Sequence, residues 1–259
     1  MVNDLVQSWG VRIKFVDDLT VLEVVPRNSP SSLNVVVDDI HAFAVNNNMR
    51  LNPPKWKSMT VDFLHYNSCI PRPIAVGGSD IEQVSTFKLL GVHLSEDLTW
   101  VVHCDYIVKK ANRRLYSLRQ LKKCKVPSAD IVQIYCALIR SILECASADF
   151  ADVPKYLAYC LENVQKRALS IIWPGISYET ALEKAALSTL SDRRAVSCVE
   201  FIGKVRPGNP LYPLYPLQNR VVPISISVCR VRSGSSSRPM ATKTECFSNF
   251  LSVKYQSCQ

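Results

Sequence analysis

The pattern of apolar residues changes near Trp100, and this change constrains the fold more than any other feature of the chain. Before it, short runs of β-branched and aromatic residues separated by turn signals predict strands and hairpins. After it, apolar residues recur at three- and four-residue spacing over long stretches, which predicts helices. The sequence therefore predicts an α+β protein with a strand-rich part, residues 1–99, a helical bundle, residues 100–205, and an irregular Pro/Ser-rich tail, residues 206–259.

The strand-rich part begins with two strand-forming runs, residues 11–16 and 19–25, that flank Asp17 and Asp18. Aspartate tolerates turn conformations, so the pair predicts a tight hairpin.

An amphipathic helix is then predicted over residues 31–48, with a serine cap signal at its start. A double proline leads into a strand that ends near Phe63, and a Gly-Gly turn precedes a strand over residues 86–94. The expected result is a mixed α+β piece whose sheet is left unfinished on its N-terminal side.

The bundle is predicted to contain three long helices and two shorter ones. They cover residues 101–123, the stretch that follows "VPSAD" and ends at residue 147, and residues 154–173, 177–187 and 190–205. The apolar faces of the first and third helices are formed by Ile107, Ala111, Leu115 and Leu118, and by Leu157, Leu161, Val164, Ala168 and Ile171.

Charge is distributed unevenly along the chain. Residues 1–100 carry 8 lysine and arginine residues against 11 acids, whereas residues 101–259 carry 23 against 11. Such an asymmetry is typical of a module that binds a polyanion, most often nucleic acid. A basic surface that serves only solubility is the alternative.

One predicted helix concentrates this charge. Lys109 and Arg113, like Lys110 and Arg114, are four residues apart and are expected to line one side of the helix, away from its apolar stripe. This geometry suits a phosphate backbone, and a solvated basic face is the alternative. The basic residues of the stretch are Lys109, Lys110, Arg113, Arg114, Arg119, Lys122, Lys123 and Lys125.

The cysteines and histidines give no sign of a metal site or a disulfide framework. The ten cysteines include no C-x-x-C pair, and the four histidines show no metal-ligand spacing. We expect reduced, mostly buried cysteines. No apolar run approaches the length of a membrane span, and the first residues do not resemble a signal peptide, so an intracellular protein of cytoplasm or nucleus without membrane contact is expected.

The carboxylate pair at Asp17 and Asp18 differs from a second pair, Asp38 and Asp39, in its setting. The second pair lies in the predicted helix and is expected to be solvated, whereas a hairpin tip between two strands holds carboxylates rigidly. Rigid oxygen ligands suit Mg²⁺, and two such ions can activate a primer hydroxyl and stabilise a leaving pyrophosphate.

These motifs together resemble a known family. "FVDDLT" resembles the aromatic-x-Asp-Asp signature of reverse transcriptases, and the order of elements is similar to that of non-LTR retrotransposon (LINE, jockey-like) polymerases. "DLTW" with a following histidine, "RRLYSLRQLKK", "RSILECAS", "VQKRALSII" and "YETALEKAALSTLSDRR" are similar to the family's helical thumb. Further matches to the family's palm motifs are Leu51, Asn52, Pro53, Lys55 and Lys57, and Phe87, Lys88, Leu90, Gly91 and Val92.

The resemblance implies a partial polymerase palm, with two hairpins and a helix, followed by a thumb. It implies Asp17 as a metal ligand with Asp18 beside it, Lys55 near the incoming triphosphate, and a primer-gripping hairpin over residues 87–92. Mg²⁺ would be the cofactor, and an RNA template and a DNA primer the partners. The sequence departs from the family at Trp56, Leu89 and Ser170.

The family's palm carries a further metal-binding aspartate and the fingers upstream, for which the ten residues before Val11 leave no space. We therefore expect a truncated RNA-directed DNA polymerase that is inactive alone. The alternative is a non-catalytic nucleic-acid-binding helical module. The bundle is also expected to be more ordered than the N-terminal strands, which have open edges.

Overall fold

The computed structural model describes residues 12–15, 18–26, 29–62 and 73–208. The chain divides into two compact units, Met1–Thr99 and Trp100–Gln259. The first contains short strands and one long helix, and the second is helical wherever it has regular structure in the described part. The predicted α+β class is therefore confirmed. No helix in the described ranges has the length and apolar character needed to cross a membrane.

The first unit begins with the predicted hairpin. Strand β1, Arg12–Phe15, pairs antiparallel with β2, Asp18–Val21, so that Phe15 lies opposite Asp18. Strand β2 ends earlier than the predicted residue 25, because residues 22–26 leave the ladder.

Helix α1, Leu33–Asn46, confirms the predicted amphipathic helix, with Val36, Val37, Ile40 and Ala44 buried. Ser32 precedes it, but its side chain does not cap the helix.

The hydroxyls of Ser31 and Ser32 instead donate to the carboxylate of Glu23, and the Ser32 backbone N–H donates to Glu23 Oε1 at 2.9 Å. Burial alone would raise the pKa of Glu23, but these hydrogen bonds lower it below its usual value. The contacts tie the chain after β2 to the start of α1.

Four short strands follow a 3₁₀ turn at Pro53–Lys55. Strand β3, Lys57–Ser58, pairs parallel with β6, Glu82–Gln83, and Lys57 forms an ion pair with Glu82. The Gly-Gly hairpin is confirmed, since β4, Ala75–Val76, pairs with β5, Ser79–Asp80.

The single strand predicted over residues 86–94 from its residue types is wrong, because the segment is a hairpin of β7, Thr86–Leu89, and β8, Val92–Ser95. A hairpin over residues 87–92 is what the family resemblance implied. Leu90 and Gly91 both adopt a positive φ, of 47° and 93°, and reverse the chain between the two strands.

The strands of the first unit do not form the single sheet that the sequence predicted. Over the described ranges they form four separate two-stranded sheets. The strand expected to end near Phe63 is β3, which ends at Ser58; residues 59–62 are irregular, and Phe63 lies outside the described part.

Apolar contacts hold these pieces around α1. Val36 and Ile40 pack with Leu19 and Val21 of β2, and Val37 packs with Val76 and Ile81. Leu51 and Trp56 belong to both groups. The turn after α1 therefore joins the first hairpin and the Gly-Gly hairpin to one helix.

The second unit follows the predicted helix order closely. Its helices are α2, Val101–Lys123; α3, Ser128–Tyr135; α4, Ser141–Leu143; α5, Lys155–Ile172; α6, Tyr178–Ala185; and α7, Leu190–Lys204. The second predicted helix begins earlier, at Ser128, and ends earlier, at Leu143. A π-helical segment, Cys136–Arg140, joins α3 to α4.

The core of this unit combines side chains from every one of its long helices. The predicted apolar face of α2 is buried, and so are Leu157, Leu161, Val164 and Ala168 of α5. Ile171 lies only at the edge of the core, because Leu169 and Ile172 occupy the interior at that end of the helix.

A polar network crosses this core. The Tyr135 hydroxyl donates to Gln165 Oε1 at 2.7 Å, and Gln165 Nε2 donates to the Tyr178 hydroxyl at 2.9 Å and to the Ser188 carbonyl at 3.1 Å. Burial raises the pKa of Tyr135 well above its usual value, so the phenol stays neutral.

The cysteines in the described part of the chain are less buried than predicted. Cys104 and Cys198 are buried and Cys136 is half-buried, but Cys124, Cys145 and Cys160 are exposed. Cys124 and Cys145 lie in turns after helices, and Cys160 lies on the outer side of α5.

Candidate nucleic-acid interface

The outward face of α2 carries a line of polar and basic side chains. The helix turns Ile107, Ala111, Leu115 and Leu118 into the core, so residues half a turn away face outward. The outer line of α2, as we name it, has alternating four- and three-residue spacing and spans about 21 Å at 1.5 Å per residue. It consists of Lys109, Arg113, Tyr116, Gln120 and Lys123.

Most of the basic residues predicted to bind nucleic acid are exposed. Lys109, Arg113 and Lys123 lie on the outer line, and Lys110 and Arg119 lie on its two flanks. Lys110 Nζ lies 5.9 Å from the centre of the Tyr106 ring, a cation–π distance.

Two members of the predicted set are placed differently. Arg114 was expected to face away from the apolar stripe with Lys110, but its Nη1 donates to the Leu138 carbonyl at 2.9 Å, within the π-helical segment. Lys122 follows Leu118 by four residues, so it continues the core-facing side and is half-buried. Arg114 therefore bonds to the bundle, and Lys122 lies at the edge of its core.

One acid lies beside the basic face. Asp105 Oδ2 is 4.0 Å from Lys109 Nζ, and both side chains are largely exposed. An exposed pair of this kind contributes little to stability, so Lys109 can exchange Asp105 for a phosphate at small cost.

The structure adds Arg167 to the basic face. Arg167 lies on α5, and its Nη1 donates to Asn112 Oδ1 of α2 at 3.4 Å, beside Arg113 in the chain. It is exposed and carries the positive surface from α2 onto α5. The pattern within one helix cannot predict this neighbour, because it depends on how two helices pack.

Two residues of the thumb-like motifs have a packing role. Trp100 and His103, from "DLTW" and the histidine after it, form an aromatic cluster with Phe150. The His103 and Phe150 ring centres are 5.2 Å apart, and His103 is buried. His103 is thus part of the core, and Trp100 packs against that core while staying partly exposed.

The acid pair of the first unit is only partly described. Asp18 begins β2 and is exposed, whereas Asp17 lies outside the described residues. Asp38 and Asp39 are exposed on α1, as expected for a solvated pair. Within the described part of the chain, no three histidine, cysteine or acidic side chains gather closely enough to hold a metal ion. Asp18 alone does not supply the ligands that Mg²⁺ needs.

Lys55 ends the 3₁₀ turn after α1 and is exposed. The next residue, Trp56, packs in the same apolar group as Leu19, which follows Asp18. Asp18 and Lys55 thus each directly precede a residue whose side chain belongs to the same apolar group. Trp56, where the family often has a small hydroxyl residue, has a structural role here.

The predicted primer-gripping residues lie on the β7–β8 hairpin. Phe87 pairs with Leu94, Lys88 with His93 and Leu89 with Val92, and Leu90 at the tip is 53% exposed. Burial and the charge of Lys88 lower the pKa of His93. Neither apolar group on α1 includes a described residue of this hairpin, so these contacts do not join it to Asp18 or Lys55.

Comparisons with protein-family models, with curated proteins and with solved structures find no match to this chain. The family resemblance therefore rests on the motifs and their order.

Proposed function

We propose that this chain is the C-terminal palm and thumb of an RNA-directed DNA polymerase from a non-LTR retrotransposon, and that its helical unit binds the backbone of template and primer. The ordered motifs from "FVDDLT" to "YETALEKAALSTLSDRR" support the family. The observation that carries the binding function is the outer line of α2, whose cations are exposed opposite a fully buried face.

Binding would work through phosphate contacts. Lys109 and Arg113 lie about 6 Å apart along the helix axis, and Lys123 extends the line by three further turns. Each phosphate that a cation neutralises releases condensed counterions, so affinity falls steeply as salt rises. The rigid core beneath the line fixes the spacing of these cations.

Catalysis in the intact polymerase would use Mg²⁺ at carboxylates that include Asp17 and Asp18. The metal would supply activation of the primer hydroxyl and stabilisation of the pyrophosphate. The described residues do not make such a site. We expect no nucleotide incorporation by the 259-residue chain alone.

A binding titration with a labelled RNA template annealed to a shorter DNA primer tests the proposal. Lys109→Gln/Arg113→Gln removes two cations of the outer line, and Lys155→Gln/Lys184→Gln removes two exposed cations elsewhere in the same unit. The first pair should lower the slope of log affinity against log salt by about 2, and the second should leave it unchanged. Equal losses for both pairs would show that only overall charge matters.

The second candidate is a nucleic-acid-binding module without any catalytic role, which the exposed basic face of α2 favours, because that face needs nothing from the first unit. Primer extension tests the module. Incorporation that Asp17→Ala abolishes would exclude the module and would show, against our expectation, that the chain is active alone. Salt-dependent binding without incorporation is the result that both candidates predict.

A further inference from the structure

We propose that the outer line of α2 binds an unpaired strand, with the ring of Tyr116 stacked on a base. This proposal rests on the proposed function and specifies which part of a template–primer the helix contacts. Tyr116 is 62% exposed and lies between Arg113 and Lys123 on the outer line. It was not among the candidates predicted from sequence, although its spacing from Arg113 places it on the same side of the helix.

Exposed tyrosines are common on protein surfaces, so exposure alone does not make this ring a binding site. The groups that lie against the ring matter more. Tyr159, equally exposed on α5, has Lys166 Nζ 5.5 Å from its ring centre, so a cation already occupies one face. In the described part of the chain, no cation or aromatic ring stacks on Tyr116. Its ring is open to a ligand.

Cations lie on both sides of this open ring. Along the helix axis, Arg113 lies about 4.5 Å from Tyr116 in one direction and Lys123 about 10.5 Å in the other. A strand that follows the line can contact Arg113 and Lys123 through its phosphates and present a base to Tyr116 between them. Alternating cations and aromatic rings are typical of surfaces that bind single strands.

The cations of the outer line bind the phosphates of an unpaired strand and of a duplex alike. The aromatic ring is the group that can favour one over the other. In a duplex the base faces are covered by their neighbours, so a ring on the surface of a helix meets no open base. An unpaired strand exposes base faces, and stacking on an aromatic side chain does not depend on sequence. The outer line therefore fits an unpaired strand better than a duplex.

The test compares two probes of one sequence, a single-stranded RNA and a blunt RNA–DNA hybrid, in titrations at fixed salt. Tyr116→Ala removes the ring, Tyr116→Phe keeps it, and Tyr156→Ala removes an equally exposed ring from α5. We expect Tyr116→Ala to weaken single-strand binding by about tenfold, the effect of one lost stacking contact, and to leave hybrid binding unchanged. Tyr116→Phe and Tyr156→Ala should bind like the original chain. Single-stranded DNA as a third probe shows whether the ribose hydroxyl contributes.

Alanine is the best helix former, so the exposed substitution keeps α2 intact, and circular dichroism verifies this. An equal loss on both probes, or no loss on either, would overturn the role of Tyr116. In both of those cases the effect of Lys109→Gln/Arg113→Gln on the salt slope would still support the proposed function. If that pair has no effect, the proposed function itself fails.

Discussion

The two units differ in how their backbones and cores are completed. In the second unit, helices satisfy their own hydrogen bonds, and their apolar faces share one continuous core. In the first unit, the described strands pair only in twos, and two small apolar groups connect through Leu51 and Trp56. Two-stranded ribbons have little stability of their own and leave edges without backbone partners.

This difference has a functional meaning. The cations that we assign to nucleic-acid binding lie on α2, whose position the core fixes. Asp18 and the residues of the β7–β8 hairpin lie on two-stranded ribbons. Binding by a rigid face can therefore persist where a catalytic geometry, which needs tightly held carboxylates, does not form.

The largest expected contrast is in hydrogen exchange. Core-facing amides of α2 and α5 should exchange about a thousandfold more slowly than those of β1 and β2, a difference of about 4 kcal/mol in opening free energy. Amide exchange followed by mass spectrometry on the full chain measures this directly. Equal protection of the hairpin and the two helices would remove the distinction between the units.

A core substitution should destabilise the second unit strongly. Leu161 is fully buried, so Leu161→Ala should lower the free energy of unfolding by about 2–5 kcal/mol. Val196→Ala, at a position 56% exposed on α7, is the matched control and should have little effect. Urea unfolding monitored by the helical circular dichroism signal compares them. Similar midpoints for the two variants would contradict a continuous packed core.

Acid should weaken the link between β2 and α1. Hydrogen bonds hold the pKa of Glu23 below its usual 4.5, so the folded state gains stability from this carboxylate above pH 4.5. That contribution is lost as the pH falls through the lower, folded-state pKa. An NMR titration of the Ser32 amide should show a midpoint below 4.5 that is absent in Glu23→Gln. A midpoint at or above 4.5 would mean that the carboxylate is not held by Ser31 and Ser32.

The smallest expected effect sharpens the role of the outer line. Asp105→Asn removes the acid 4.0 Å from Lys109 and should cost only about 0.3–0.5 kcal/mol of stability. It should tighten template–primer binding slightly, because Lys109 no longer has to leave a carboxylate. Weaker binding by this variant would place Lys109 outside the interface.

Helices were predictable because their signal is local. The apolar residues of α2 recur over many turns, and its bounds follow the predicted 101–123. Strand pairing was less predictable than the helices. Strand β3 pairs with β6 some 25 residues later, and no short sequence pattern encodes that choice of partner. The residue pattern does not predict the reversal at Leu90 and Gly91, because leucine is not a typical turn residue; only the family resemblance implied a hairpin there.

The candidate interface shows the same division. Lys109 and Arg113 follow from helical spacing. Tyr116 obeys the same spacing, but its uncharged side chain gives no electrostatic signal in the sequence. Arg167 joins the basic face only because α5 packs on α2, and the pattern of a single helix does not encode that packing.

If the second unit carries the binding, removing its cations should weaken template–primer binding more than removing cations of the first unit, which a salt titration measures. On the same RNA template and DNA primer, Lys109→Gln/Arg113→Gln in the second unit is compared with Lys55→Gln/Lys88→Gln in the first. We expect the first pair to reduce the slope of log affinity against log salt by about 2, and the second pair to reduce it much less. If the pair in the first unit weakens binding as much or more, the bundle is not the main nucleic-acid interface.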